Sequence, residues 1–187
     1  MLRKALICLS LLAPLTAGAE TLTGAAAAKL LFPATGVAVD LTGAGGLADK
    51  DAQMLAMVAG GQPYYGAIAI SPDEGLMVAA TVAAVNHHST EAAEAAALKG
   101  CEAQRKGKAD CAVVALIRPE GFEPRALTLS SDASKAVAEH YKEPGALAIS
   151  PETGLFALAA GAGAGDAAVA ACNEKAGAGD CVVAFAD

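Results

Sequence analysis

The sequence predicts an α+β protein built from two tandem ββαβ repeats that are stapled by disulfides. Three observations support this fold class. A segment of eleven residues occurs twice, each copy is followed by an alanine-rich helix that carries one cysteine, and each helix is followed by a strand that opens with Asp-Cys. Such self-similarity indicates a duplicated supersecondary unit. The two copies are therefore expected to share one order of elements.

The repeated segment predicts a β-hairpin in each copy. Residues 66–76 read GAIAISPDEGL and residues 145–155 read GALAISPETGL, so that eight of eleven positions are identical. Each copy places Ser-Pro-acid-x-Gly between two apolar runs, which is the signature of two strands joined by a turn whose glycine supplies a positive φ. Tyr64 and Tyr65 precede the first hairpin, and we expect them to pack in the core or at a sheet edge.

An alanine-rich helix follows each hairpin. In the first copy Ser89 is the expected N-cap and the helix runs towards Lys106. In the second copy Asp166 is the expected cap and the helix runs towards Ala176, because both residue types are favoured at this position. Each helix carries an alanine one turn before its cysteine, in the pairs Ala97 with Cys101 and Ala168 with Cys172. A face this small allows the helix to lie close to a sheet.

Weaker similarity extends both copies towards the N-terminus. Gly36–Leu41 alternates like a strand and Asp49–Ala59 is periodic like a helix, whereas Arg125–Ser130 and Ser131–Tyr141 predict the equivalent strand and helix before the second hairpin. Each half would then read β-α-β-β-α-β, the order of a ferredoxin-like unit. The alternative is one continuous sheet formed by both halves. Thr21–Phe32 predicts a further short helix.

These elements divide the chain into five segments. They are a signal peptide (1–19), an N-terminal helix with a strand-helix segment (20–63), the first ββαβ repeat (64–118), a strand-helix connector (119–144) and the second ββαβ repeat (145–187).

The first of these segments has the features of a secretion signal. Arg3 and Lys4 precede the apolar stretch Ala5–Leu15, and Ala17-Gly-Ala then offers an A-x-A cleavage site before Glu20. This order of basic, apolar and small residues is typical of a cleaved leader. We therefore expect an exported protein, periplasmic or extracellular.

Export changes the meaning of the cysteines. Loss of Cys8 with the signal leaves four, and an even number in an oxidising compartment indicates disulfides. Four cysteines allow three connectivities. The spacing favours the close pairs Cys101–Cys111 and Cys172–Cys181, each of which would join a helix to the strand that follows it. Neither pair has the spacing of a zinc site or of a C-x-x-C dithiol.

Charge and hydropathy argue against two classes of protein. The formal net charge is −7, whereas a nucleic-acid binder carries a basic footprint. After the N-terminal segment, no apolar stretch approaches the ~18 residues of a membrane span. We therefore expect no nucleic-acid partner and no transmembrane segment after signal cleavage.

The segment Asn86-His87-His88-Ser89 has the highest density of chemically active groups. Histidine is the usual base near neutral pH, and Ser89 could act as a nucleophile or cap a helix. Neighbouring histidines on an extended segment point in opposite directions, so that they do not chelate one ion together. His87, His88 and Ser89 are therefore the candidate ligand or metal site. We assign no catalytic residue and no defined metal site from the sequence.

A glycine-rich motif at residues 43–48, GAGGLA, has the form of a dinucleotide fingerprint. Asp49 and Asp51 follow it, where a bound pyrophosphate would need a positive helix end. The same pattern recurs at residues 163–168, as expected of a chain rich in alanine and glycine. We therefore expect no bound cofactor.

The repeated hairpin, the alanine-rich helix with one cysteine and the Cys-Val-Val strand resemble a bacterial domain family of unknown function. The resemblance covers residues 66–118 and 145–187. Members of that family are small secreted modules rich in alanine and glycine with paired cysteines. The resemblance implies export and a disulfide-stapled α+β module, and it supplies no catalytic residues.

The whole chain is also similar to short exported proteins that bear the label 5-aminolevulinic acid synthase. That activity requires pyridoxal phosphate, a lysine for the internal aldimine, a carboxylate on the ring nitrogen and a phosphate cradle. None of the lysines in this sequence lies in such a setting. We therefore do not expect aminolevulinate synthesis.

The sequence thus predicts an exported small globular protein of unknown activity, acting as a non-enzymatic binding or interaction module. Its partner would be an unknown protein or a small molecule. Two alternatives remain open. One is a small hydrolase-like or metal-assisted activity at Asn86–Ser89, and the other is a self-assembling, envelope-associated structural module.

Overall fold

The computed structural model describes residues 21–187, and the predicted signal peptide lies outside the described residues. The helices within this range are α1 (Gly24–Ala28), α2 (Asp49–Ala59), α3 (Thr90–Gln104), α4 (Ser131–His140) and α5 (Ala164–Ala176). The strands are β1 (Val37–Leu41), β2 (Gly66–Ile70), β3 (Val82–Ala84), β4 (Ala112–Pro119), β5 (Gly145–Ile149), β6 (Phe156–Ala160) and β7 (Val182–Ala186). The bounds predicted for α2 are confirmed.

The strands form two separate sheets. The first has the order β1-β4-β2-β3 and the second has the order β6-β5-β7. Neighbouring strands are antiparallel throughout both sheets. The predicted α+β class is therefore confirmed, whereas the alternative of one continuous sheet is wrong.

The central strand of each sheet carries alanine on one face and larger side chains on the other. In β2, Ala67 and Ala69 pack with α3, whereas Ile68 and Ile70 pack in a core that includes residues of α2. In β5 the alanines pack with α5, and Leu147 packs with residues of α1 and α4. Successive side chains of a strand point to opposite faces. The alternation of alanine with larger residues, Gly-Ala-Ile-Ala-Ile in β2 and Gly-Ala-Leu-Ala-Ile in β5, therefore places each sheet between two helical layers.

A disulfide lies on the alanine-lined face of each sheet. Cys101, in α3, bonds Cys111 just before β4, and Cys172, in α5, bonds Cys181 just before β7. The Cα atoms of the two pairs lie 6.1 and 6.0 Å apart. Both predicted pairs are confirmed, and each joins a helix to the following strand.

The first hairpin differs from the direct turn that the sequence predicts. In the second copy, the strand partner of Ala148 is Ala157, which lies three residues after Gly154. In the first copy, the strand partner of the equivalent Ala69 is Val82, which lies seven residues after Gly75. The intervening residues form a loop instead of a strand. The hydroxyl of Thr81 donates to the carbonyl oxygen of Leu76 at 2.6 Å and closes this loop.

The strand predicted over Arg125–Ser130 is wrong. These residues are irregular, although Leu127 and Leu129 are buried in the core of the second unit. The N-terminal segment occupies the edge of β7, because the N–H of Ala186 donates to the carbonyl oxygen of Leu22 at 2.9 Å. In the first unit the corresponding edge of β4 pairs with β1. The second sheet therefore has three strands.

Two predicted helix starts also differ from the structure. The helix predicted over Thr21–Phe32 is reduced to α1, where the Thr23 side chain accepts a hydrogen bond from the N–H of Ala26. Helix α5 begins at Ala164 with Gly163 as its N-cap, so that Asp166 is not the cap. The Asp166 carboxylate instead lies in the first turn, where it complements the helix dipole.

Among the described residues, no helix is long and apolar enough to cross a membrane.

Candidate functional site

The Asn86–Ser89 segment lies at the junction between the two halves of the chain. It connects β3 to α3 and crosses the turn of the second hairpin. Gly154, in that turn, has a φ of 75°, and a Cβ built on it would lie 2.3 Å from the carbonyl oxygen of Asn86. Only glycine fits this crossing, because it tolerates a positive φ and has no side chain.

His88 is a buried residue whose two ring nitrogens both bond to backbone groups. The N–H of Ser130 donates to Nδ1 at 3.1 Å, and Nε2 lies 3.1 Å from the carbonyl oxygen of Leu155. Because an N–H only donates and a carbonyl oxygen only accepts, these partners assign the neutral Nε2–H tautomer. Burial lowers the pKa of His88, although the hydrogen bond to Leu155 opposes the shift. His88 is therefore a neutral link between the two halves.

His87, the preceding residue, is buried as well. Its backbone N–H donates to the carbonyl oxygen of Tyr65 at 3.0 Å. Burial lowers the pKa of the His87 imidazole, against an opposing contribution from the backbone of Glu152. Within the described part of the chain, Nδ1 of His87 has no hydrogen-bond partner.

Asn86 joins the segment to the start of α4. Its Nδ2 donates to a carboxylate oxygen of Asp132 at 2.7 Å, and its Oδ1 accepts from the Ser131 hydroxyl at 3.1 Å and from the N–H of Asp132 at 3.2 Å. Asn86 has a φ of 62°, a conformation that asparagine tolerates better than most residues. These bonds fix the first residue of the segment to the start of α4.

Ser89 is the N-cap of α3, as the sequence predicts. Its Oγ accepts from the N–H of Ala92 at 3.1 Å. The neighbouring His88 ring bonds Ser130 and Leu155 and is not paired with Ser89. The predicted residues His87, His88 and Ser89 thus lie together in one ordered crossing, in which the side chains of His88 and Ser89 bond to the backbone.

No metal-binding cluster accompanies this segment in the structure. Across residues 21–187, no group of three or more His, Cys, Asp or Glu side chains is arranged to hold a metal ion.

A cleft of about 370 Å³ opens beside Ser89. We call it the junction cleft. Its walls come from the start of β2, the start of α3 and the connector after β4, and they consist of Tyr65, Ser89, Thr90, Glu91, Phe122, Pro124, Arg125 and Thr128. The volume falls within the range of small-molecule sites.

Two buried hydroxyl groups belong to residues that line the junction cleft. Tyr65 is 1% exposed and Thr90 is 4% exposed. In the region that the structure describes, neither the Tyr65 hydroxyl nor Thr90 Oγ1 has a hydrogen-bond partner. Burial raises the pKa of Tyr65 to about 12, so that the phenol remains a protonated donor at neutral pH. A buried polar group without a partner is costly and is expected to meet water or a ligand.

Aromatic and cationic side chains form the outer wall of the junction cleft. The rings of Tyr65 and Phe122 meet edge to face, with centroids 6.0 Å apart. The Arg125 guanidinium lies 3.5 Å from the centroid of Phe32, and its Nη1 donates to the carbonyl oxygens of Leu30 and Leu31. These contacts hold Arg125 in one position beside the cleft.

A second groove, of about 380 Å³, lies between the outer face of α3 and the second Ser-Pro turn. It is lined by Ala92, Ala95, Ala96, Lys99, Pro151 and Glu152. Within residues 21–187, none of these residues carries a buried side-chain group that lacks a partner. Among the described residues, its lining therefore has no counterpart of the buried, unpartnered hydroxyls of Tyr65 and Thr90.

The acidic residues of the first hairpin turn bind backbone amides. An oxygen of Glu74 accepts from the N–H groups of Lys106 and Gly107 at 2.9 and 3.0 Å. An oxygen of Asp73 accepts from the N–H groups of Lys108 and Ala109 at 2.8 and 3.0 Å. The hydrogen bonds from Gly107 and Lys106 lower the pKa of Glu74. These two carboxylates order the loop at residues 106–109, which precedes Cys111.

One segment of the chain matches a known protein family, and most residues that line the junction cleft lie within it. Residues 65–122 match the family described as Domain of unknown function (DUF4189). The DUF4189 segment extends from Tyr65 to Phe122, so it contains the α3 wall of the cleft. The resemblance to a family of unknown function is confirmed for these residues. The remaining wall, with Arg125 and Thr128, follows the matched segment.

No curated protein and no solved structure matches the chain.

Of the residues that line the junction cleft, the sequence predicts Ser89 as a candidate site residue. The sequence also predicts that Tyr64 and Tyr65 pack in the core or at a sheet edge, and both are buried. The cleft that Tyr65 lines is completed by Thr90 and Arg125, which lie far from Tyr65 along the chain, so the sequence does not indicate it. The tyrosine pair in a chain of few aromatic residues was the available signal.

Proposed function

We propose that this protein is a non-enzymatic binding module that holds a small ligand in the junction cleft. The observation that carries the proposal is that two residues lining one cleft, Tyr65 and Thr90, each carry a buried hydroxyl that lacks a partner in the described chain. A ligand that bonds both hydroxyls would remove the cost of their burial.

The surroundings of the cleft support binding in preference to catalysis. A serine nucleophile needs a base within hydrogen-bond reach. The ring nitrogens of His88 bond instead to Ser130 and Leu155, and Ser89 Oγ caps α3. The segment is therefore suited to fixing the shape of the cleft.

The disulfides support action outside the reducing cytoplasm. Both bonds join elements of the folded core, and disulfides persist in oxidising compartments. We infer that the protein is exported and matures near Glu20. The mass of denatured protein from the exported fraction tests this inference, because it should correspond to a chain that starts near Glu20 and lacks four hydrogens. A full-length or fully reduced mass would contradict it.

Thermal unfolding tests the binding proposal. The disulfide-bonded protein is heated with neutral, acidic, basic and zwitterionic small molecules at millimolar concentrations. A ligand that binds only the folded state raises Tm with concentration. We expect at least one probe to do so in the wild type.

Two phenylalanine variants locate the effect. Tyr65→Phe removes the unpartnered hydroxyl, whereas Tyr64→Phe removes the neighbouring hydroxyl, which donates to the carbonyl oxygen of Phe32 at 3.2 Å. The rise in Tm, taken from each variant's own baseline, should shrink in Tyr65→Phe and persist in Tyr64→Phe. The proposal fails if no probe raises Tm, or if Tyr65→Phe responds as fully as the wild type.

A further inference from the structure

We propose that the ligand of the junction cleft is an uncharged saccharide of one or two rings, an inference that rests on the proposed function. The hydrogen-bonding groups of the cleft are mainly hydroxyls. Four of its eight lining residues carry one, namely Tyr65, Ser89, Thr90 and Thr128. A hydroxyl both donates and accepts, and it therefore matches the hydroxyls of a sugar ring, which do the same.

The charges beside the cleft disfavour a ligand with net charge. Glu91 would attract a cation but repel an anion, and Arg125 would do the reverse, so that neither sign of net charge is favoured by both residues. Arg125 is also already paired, because its Nη2 donates to a carboxylate oxygen of Glu123 at 3.1 Å and its Nη1 donates to two backbone carbonyls. It therefore offers little unneutralised charge to a ligand carboxylate. A neutral molecule meets neither repulsion.

The aromatic wall suits the apolar C–H face of a sugar ring. Phe122 is 36% exposed, and Tyr65 meets its ring edge to face. A sugar placed against Phe122 would shield this exposed ring, with its hydroxyls directed towards the walls that Thr90 and Tyr65 form. The cleft volume of about 370 Å³ is at the lower end of the range for small-molecule sites, which limits the ligand to one or two rings.

Isothermal titration calorimetry on the disulfide-bonded protein tests the ligand class. The neutral probes are glucose, galactose, mannose, N-acetylglucosamine, maltose and cellobiose. The matched charged probes are glutarate, putrescine and glycylglycine, which represent an anion, a cation and a zwitterion. We expect saturable binding of at least one saccharide and none of the charged probes.

Three variants connect the binding to the cleft. Tyr65→Phe and Thr90→Val each delete one buried hydroxyl, and we expect the Kd of the bound saccharide to rise about tenfold in each. Tyr64→Phe lies next to the cleft wall and should leave Kd unchanged. Circular dichroism checks that each variant is folded. If Thr90→Val fails to fold, Tyr65→Phe alone carries the comparison.

The possible outcomes separate this inference from the function on which it rests. Binding of glutarate, putrescine or glycylglycine alone, weakened by Tyr65→Phe, overturns the saccharide assignment and leaves the binding module intact. Saccharide binding that is equal in all variants also overturns the assignment. No calorimetric binding of any probe overturns it as well, and a negative thermal screen would then remove the proposed function too.

Discussion

Nε2 of His88 lies 3.1 Å from the carbonyl oxygen of Leu155, which joins the segment before α3 to the turn of the second hairpin. The other nitrogen of the same ring accepts from the N–H of Ser130, at the start of α4. One buried imidazole thus connects three parts of the chain that are far apart in sequence. The neutral tautomer that these bonds require makes His88 a structural residue.

Removal of the His88 ring should destabilise the protein strongly. His88→Ala leaves the N–H of Ser130 and the carbonyl oxygen of Leu155 without their partner in a buried site. Each unsatisfied group costs about 1–3 kcal/mol, so we expect the free energy of unfolding to fall by about 3 kcal/mol. Urea unfolding followed by circular dichroism measures this loss.

The matched control is His140→Ala, because the side chain of His140 is 71% exposed. Its free energy of unfolding should remain within about 0.5 kcal/mol of the wild type. An equally small loss in His88→Ala would contradict the structural role of His88.

The buried histidines should make stability fall below neutral pH. Burial lowers the pKa of both His87 and His88 from the ordinary value of 6.5. The unfolded chain therefore takes up protons that the folded protein resists, so this contribution is fully present above pH 6.5 and is lost as the pH falls through and below that value. Urea unfolding at a series of pH values between 5 and 8 tests the sign.

A comparison with His88→Ala assigns the pH dependence to the residue. The variant should show a shallower fall in stability between pH 7 and pH 5 than the wild type, because one of the two proton-binding differences is gone. A wild-type stability that rises on acidification through this window would show that the histidines are charged in the fold, contrary to our assignment.

The acidic hairpin turn should control local opening of the loop at 106–109. In Glu74→Ala, the amides of Lys106 and Gly107 lose their shared acceptor, and we expect their hydrogen exchange to become several-fold faster. Because the folded pKa of Glu74 is lowered from 4.5, the same protection in the wild type is present above pH 4.5 and is lost as the pH falls through the folded pKa.

The second copy supplies a control for this loop. Glu152 lies in the corresponding turn, far along the chain from residues 106–109. Glu152→Ala should leave exchange in the 106–109 loop unchanged. Equal acceleration in both variants would mean that the loop is opened by global destabilisation and not by loss of the Glu74 contact.

The alanine face of α3 should reject larger side chains. Ala97 is fully buried and packs in the small-residue core with Ala67 and Ala69. Ala97→Leu forces bulk into this seam, and we expect a loss of about 1–3 kcal/mol, which is typical of overpacking. Ala95→Leu, at an exposed position of the same helix, should change stability little. Thermal or urea unfolding of the two variants makes the comparison, and a tolerated Ala97→Leu would contradict the close packing.

Local patterns in the sequence predict much of this fold. The Gly-Ala-Ile-Ala-Ile run determines which face of β2 receives α3, and the short cysteine spacings fit the pairs that form. The periodicity over Asp49–Ala59 gives α2 with its observed bounds. These features depend on residues close together in the chain, where period and turn chemistry are informative.

Long-range placement was beyond local patterns. Arg125–Ser130 has the alternation of a strand, yet it is irregular. The edge of β7, where this segment could have paired, instead bonds to Leu22. The junction cleft likewise combines Tyr65, Thr90 and Phe122 from separate parts of the chain, with no motif that relates them. Asp166 is a favoured cap residue, but Gly163 begins the helix earlier. At the edge of β7, a tertiary contact thus decides between two segments that are both locally acceptable as a strand.

The most direct test of the account is a map of backbone amide chemical shifts during titration of the disulfide-bonded protein with the probe that raises Tm most. We predict that the largest shifts fall on the residues of the junction cleft, above all Thr90, Glu91 and Phe122, and are small around Pro151 and Lys99. Shifts centred on the groove at Pro151 and Lys99, or spread evenly over the protein, would contradict the claim that the junction cleft is the binding site.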